Sequence, residues 1–216
     1  MKRILSAILV IMLIAQVSLS TYAMDTNYFE VNGVVYKILF MNWNPQTREV
    51  DLGNASIFQI KDSAIDDSGM LNLPSEVASD GNIYTVTIID NNVIDSCSKK
   101  DKILEIKFPE NINHIGDYAF SNCVSIKSIY IPSRVRTMGN NVFSGCTSLR
   151  EVYFGSKMQP SEIRDIGTNC FLNTYKAWYD FIYNPSKIYF YGISCLYIET
   201  LDKGWNPNNM KVIFIF

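Results

Sequence analysis

Residues 103–126 read ILEIKFPENINHIGDYAFSNCVSI, and residues 126–149 read IKSIYIPSRVRTMGNNVFSGCTSL. The second stretch is the first rewritten. Pro109 returns as Pro132, Gly116 as Gly139, Phe120 as Phe143 and Cys123 as Cys146, each 23 residues later. A fixed period of this length marks a solenoid, whose units bury their apolar faces only against their neighbours. Repetition of this kind builds a surface for contact, not a pocket of unique residues for chemistry.

The physics of one unit is legible. Ile129-Tyr130-Ile131 alternates in, out, in, and Pro132 ends this short strand because proline cannot extend a ladder. Val135 and Met138 face inward on the return path, and Gly139 permits a turn that a side chain would obstruct. Val142 and Phe143 then enter the core before Cys146 and Leu149. Worn copies flank the clean ones. Leu71-Asn72-Leu73-Pro74 matches Ile106-Lys107-Phe108-Pro109, and the stretch from Ile89 to Cys97 matches Ile115 to Cys123 at an offset of 26. A third copy takes five extra residues around Met158 to Ser161. Phe143 and Phe171 stand 28 apart, so one loop absorbs the insertion and register recovers.

The expected fold is mainly β or α/β: a short right-handed solenoid with one parallel sheet, loops or short helical turns opposite it, and a non-repeating cap at each end. The division reads as a secretion signal over 1–23, an N-terminal cap over 24–69, repeats over 70–192 and a C-terminal cap over 193–216. Within the first cap, Phe29 to Tyr36 predicts a hairpin in which Asn32-Gly33 supplies two positive-φ residues. The tail from Trp205 to Phe216 is expected to close the far end.

The first residues read as an export signal: Lys2 and Arg3, an apolar run from Ile4 to Ala15, then Thr21-Tyr22-Ala23 with small residues where a signal peptidase cuts. The alternative is a retained anchor, but the run falls short of the roughly 20 residues that span a bilayer. Cleavage after Ala23 leaves 17 basic against 21 acidic residues, a formal charge of −4. That balance gives no reason to expect nucleic acid or an anionic membrane as partner, nor membrane insertion of the mature chain. Five cysteines invite a disulfide reading. Yet Cys97, Cys123 and Cys146 share one repeat position, where small thiols pack as an internal column. Buried free thiols are favoured, with a bond between neighbouring coils as the alternative; Cys170 falls in a different column and Cys195 lies near the end.

The pattern I-x-I-P followed by I-G-x-x-A-F-x-x-C-x-x-L resembles the BspA-type leucine-rich repeat of surface and secreted proteins in Bacteroides-like bacteria. Here Ile129, Ile131, Pro132, Met138, Gly139, Val142, Phe143, Cys146 and Leu149 carry it. The resemblance covers residues 70–192 and implies a leucine-rich-repeat solenoid linked to adhesion and host contact. The chain departs from the family's long arrays in holding about three to five coils.

Catalytic groups are scarce. His114 is the single histidine, and its repeat equivalents are Thr137 and Asp165, a variable position. No Cys-x-x-Cys, His-x-x-x-His or glycine-rich phosphate loop occurs, and no cofactor is implied. Asp62, Asp66, Asp67, Asp90 and Asp95 lack the alternating spacing of calcium ligands and read as solvated loop acids. The contact surface is more concrete. Aligned strands put Asn72, Lys107, Tyr130, Tyr153 and Tyr189 in one outward column, and Glu105, Ser128, Glu151 and Lys187 in the next. Such a tyrosine strip suits recognition of a protein or glycan; cross-strand packing on a solvated face explains it as well. The expected function is a secreted or cell-surface, non-enzymatic binding module for an extracellular protein or glycan. The alternative is a secreted hydrolase or accessory subunit whose repeats present a substrate.

Overall fold

Asn-Gly opens the described fold with the turn it predicts: Asn32 (φ 50°) and Gly33 (φ 78°) are both left-handed. They join β1 (Tyr28–Val31) to β2 (Val34–Asn44) in an antiparallel hairpin, Val31 opposite Val34. β3 (Glu49–Ile60) runs back antiparallel along β2. The computed structural model describes residues 27–44, 49–174, 187–191 and 211–215. The secretion signal, Cys195 and Trp205 lie outside the described residues.

After β4 (Met70–Asn72), β5 (Glu76–Ser79) and β6 (Asn82–Ile89), the coils carry strands on two faces. One face holds β7 (Glu105–Lys107), β9 (Ser128–Ile131), β11 (Glu151–Phe154), β13 (Lys187–Tyr191) and β14 (Lys211–Ile215). The return path holds the two-residue strands β8 (His114–Ile115), β10 (Thr137–Met138) and β12 (Asp165–Ile166). The parallel sheet expected from the I-x-I-P stretches is present, with Ile129 opposite Val152 and Val152 opposite Ile188. A second parallel ladder, β6–β8–β10–β12, runs along the return path. Strands of two residues are too short to leave an alternating pattern in the sequence. β3 pairs in parallel with β6, so the antiparallel unit is continuous with this second ladder. β14, within the segment expected to cap the far end, extends the first ladder in register, Val212 opposite Ile188.

One pairing differs from the alignment. β7 pairs with β4, Ile106 opposite Leu71, as a separate two-stranded ladder, and the sheet restarts at β9. The inward columns run through without a break. Phe120, Phe143 and Phe171 stack with ring centroids 5.9 and 6.0 Å apart, and Phe108, in the same coil as Phe120, meets that ring edge-on at 5.3 Å. Phe120, Phe143 and Phe171 are fully buried. A second row stacks Phe154, Phe190 and Phe214 at 4.5 and 5.6 Å. Rings repeating once per coil stack because the coils themselves stack.

Cys97, Cys123 and Cys146 are buried free thiols in one column, and buried Thr174 takes the next place, its hydroxyl donating to the Phe171 carbonyl at 3.0 Å. Cys170, also free, sits four residues before that place in its coil and donates to the carbonyls of Gly139 (2.9 Å) and Gly167 (3.2 Å). The free-thiol reading therefore holds for these four.

The turns at the solenoid's corner set the coil spacing. The side-chain oxygen of Asn91 accepts the Asp117 N–H (2.7 Å), that of Asp117 the Asn140 N–H (2.6 Å), and that of Asn140 the Thr168 N–H (2.8 Å). A Cβ at Gly139 would stand 2.6 Å from the Asp117 backbone nitrogen, so glycine alone admits this approach. The residue after each of these rungs is left-handed: Asn92, Asn141 and Asn169, joined by Tyr118 in the second coil.

Two predictions follow from the interior. Phe143→Ala opens a hole between two stacked rings and should cost about 3–5 kcal/mol; an unchanged chemical-denaturation midpoint would contradict the column. Burial raises the Cys146 and Cys170 thiols from 9.0 to about 12. The folded chain thus holds these protons more tightly than the unfolded chain does. Their contribution to stability is complete below pH 9.0 and is lost as pH climbs toward about 12. Urea midpoints measured across that range should fall, and less steeply in Cys146→Ala/Cys170→Ala.

Candidate functional site

Buried anchors hold the outward face of β9, β11 and β13 rigid. Ile129, Ile131, Val152, Phe154, Ile188 and Phe190 all point into the core, so strand alternation forces the residues between them outward. Register then places Ser128 opposite Glu151 and Glu151 opposite Lys187, with Tyr130 opposite Tyr153 and Tyr153 opposite Tyr189. The three tyrosines are thus brought together as aligned. Lys107 and Glu105 are on the same face but in the β4–β7 ladder, outside the pairing that joins the tyrosines.

The three rings do not behave alike. Tyr153 and Tyr189 stack face to face, centroids 4.7 Å apart and planes at 4°. The Tyr153 hydroxyl donates to Glu151 Oε2 at 2.9 Å, tying the tyrosine column to the charged one. Tyr130 is the more exposed, at 38%. Burial raises its pKa, while a hydrogen bond with Ser156 pulls the other way. Ser156 begins the five-residue insertion, whose turn is closed by Ser156 N–H to the Gln159 carbonyl (2.7 Å) and the reverse bond (3.2 Å). The insertion therefore abuts the strip at Tyr130, a contact the sequence alignment did not reveal, and it projects Met158 at 92% exposure.

The other titratable candidates are occupied structurally. His114 lies on the second ladder, Nδ1 2.7 Å from Thr137 Oγ1, and Thr137 lies opposite Asp165. This order puts the hydroxyl between imidazole and carboxylate, whereas an activated nucleophile needs the imidazole in the middle. Asp62 accepts the N–H groups of Ser98 (2.7 Å) and Lys99 (3.2 Å) and the Ser98 hydroxyl. The Ser98 hydroxyl bond leads in lowering its pKa to about 2. Asp66 accepts the N–H groups of Ser68 and Met70, both at 2.9 Å, and Asp90 accepts the Ser56 hydroxyl at 3.0 Å. These acids fasten loops. Among the described residues no group of three or more potential metal ligands converges.

Comparison with known proteins agrees with this architecture. Residues 80–201, more than half of the chain, match the family model of the BspA type leucine rich repeat region in 6 copies. The chain belongs to this family. The 6 copies exceed the three to five coils expected. A leucine-rich repeat protein from Bacteroides capillosus is 18% identical over 68% of this chain and 92% of its own, with a TM-score of 0.53. Another from Bacteroides ovatus is 23% identical over 68% of this chain, with a TM-score of 0.50. The match spans 33% of that second protein. At such identities both attest the fold. No curated protein is significantly similar to the chain. No helix among the described residues is long and apolar enough to cross a membrane.

Proposed function

We propose that this chain is an exported, non-enzymatic binding module that engages an extracellular protein or glycan, in adhesion or host contact, through the outward face of β9, β11 and β13. One observation carries the reading: Tyr130, Tyr153 and Tyr189 stand side by side at fixed register on fully buried anchors. Preorganised aromatics with polar tips give up little conformational freedom on binding, which is why such residues dominate interface energies. Leucine-rich-repeat domains in general work by contact, which supports a partner over a substrate. Ser128, Glu151 and Lys187 border the strip, and Glu105 and Lys107 extend the face below it. The segment 24–69 serves as the N-terminal cap: β3 covers the edge of β6 that would otherwise be open. The segment 193–216 serves as the C-terminal cap.

Replacing Tyr130 and Tyr153 together by Ser should leave the melting temperature nearly unchanged and weaken binding by about 2 kcal/mol or more. Arrays of host-matrix proteins and glycans would supply the ligand, and isothermal titration the affinity. The same change at Lys157 and Gln159 should do little; a tyrosine double mutant that binds like the parent moves the site elsewhere. Export is tested separately. N-terminal sequencing of protein recovered outside a bacterial host should begin at Met24, and an intact Met1 would refute cleavage after Ala23.

A further inference from the structure

The sheet of the second ladder changes character where it leaves the repeats. In the coils its outward row is His114, Thr137 and Asp165, with exposed Arg136, Glu162 and Arg164 beside it. Followed the other way, the same row runs from His114 through Ile88, Ser56 and Lys37 to Tyr28. Around that end apolar side chains gather. Leu39, Phe40, Phe58 and Ile83 are four of the eight exposed large hydrophobic residues among those described.

Backbone irregularity turns two of them outward. Ile38 lies opposite Ala55 and Phe40 opposite Asn54, so Leu39 is the extra residue of one bulge. Tyr36 lies opposite Ile57 and Val35 opposite Gln59, so Phe58 is the extra residue of another. A bulge re-aims a side chain, and here each bulge leaves a large apolar group in water. Phe40 shares its row with Asn54 and Thr85, and Ile83 stands two residues before Thr85 on the same face. Phe58 meets Tyr28 edge-on at 4.8 Å, which carries the face across to β1. On the inner side Tyr36, Ala55, Ile57 and Val86 already fill the core. Single surface hydrophobics are ordinary, but an apolar face shared by four strands marks a contact surface.

Charge decides what covers it. Each charged group that reaches this face is engaged within the chain. Lys37 Nζ stands 6.0 Å over the Tyr28 ring, Glu30 pairs with Lys61 at 2.6 Å, and Asp90 accepts the Ser56 hydroxyl at 3.0 Å. A face with no unmet charge is complementary to itself, whereas the coils beyond it would set Arg136 and Arg164 against their own copies. A bilayer suits it less well. Lys37 is the one cation within it, and none of the four apolar side chains is more than 57% exposed, so they form a level surface and no wedge. Level sheet faces pack on each other about 10 Å apart, and two-fold pairing of identical patches is the commonest form of assembly.

We propose that the outward face carrying Tyr28, Leu39, Phe40, Phe58 and Ile83 is a homodimer interface, packed about a two-fold axis on the same face of a second copy. The tyrosine strip belongs to another sheet and stays open in the pair. Sedimentation velocity of the mature chain over about 1 to 100 µM tests this directly, with a dissociation constant of about 10 µM or tighter expected. Phe40→Lys and Ile83→Lys, on different strands, should each weaken dimerisation by at least about tenfold while keeping a cooperative thermal transition. The Tyr130→Ser/Tyr153→Ser chain should dimerise as the parent does, whether or not it binds a ligand. A parent that stays monomeric over this range overturns the proposal, as does dimerisation unchanged in both lysine variants. Loss of the dimer in the tyrosine variant would also overturn it, by moving the interface to the strip. So would a monomeric parent that floats with phosphatidylcholine vesicles, which would make the face a membrane contact.

Discussion

The separation between neighbouring coils is set where Asn91, Asp117 and Asn140 each give a side-chain oxygen to the backbone N–H of the next coil. Glycine at 116, 139 and 167 is what lets these turns close on each other, since a Cβ at any of them would meet atoms within 2.6 Å. Everything else takes its spacing from this contact. Phenylalanine rings meet at stacking distance, the two ladders stay in step, and Tyr153 and Tyr189 come face to face. The strength of any single rung is modest, about 1 kcal/mol. Its structural effect is larger, because a change of spacing in one place would misplace every column at once.

The inward columns were legible because burial leaves a record in residue type. Phe120, Phe143 and Cys146 each recur at a fixed interval, and each is fully buried. The alignment also placed Tyr130, Tyr153 and Tyr189 in one row and His114, Thr137 and Asp165 in another, both as observed. What it missed lives in the backbone or between units. Nothing in Lys107 or Tyr130 signals that the sheet breaks between β7 and β9. The second ladder leaves two residues per coil, too little for a period. The left-handed turns did leave a trace, the asparagines at 92, 141 and 169, legible only once the dihedral angles give their recurrence a meaning.

The architecture separates what is constant from what is free to differ. Inward positions stay buried and nearly all apolar down each column, since a neighbour above and below must fit each one. Outward positions on the same strands are released from that demand. The second ladder thus presents imidazole, hydroxyl and carboxylate in succession at His114, Thr137 and Asp165, while Ile115, Met138 and Ile166 behind them remain apolar. A fold of this kind diversifies by recognition more readily than by catalysis. Contact can be assembled one outward residue at a time.

The direction of the coil-to-coil hydrogen bonds has a mechanical consequence. Those of the ladders and corner turns cross from one coil to the next, along the solenoid axis. Tension along that axis therefore loads one row of bonds at a time, and the chain would peel open coil by coil, as a zipper does. Tension along the strands would instead load whole ladders in shear, where the rows must fail together. The module would yield gradually or resist abruptly according to the direction of the pull.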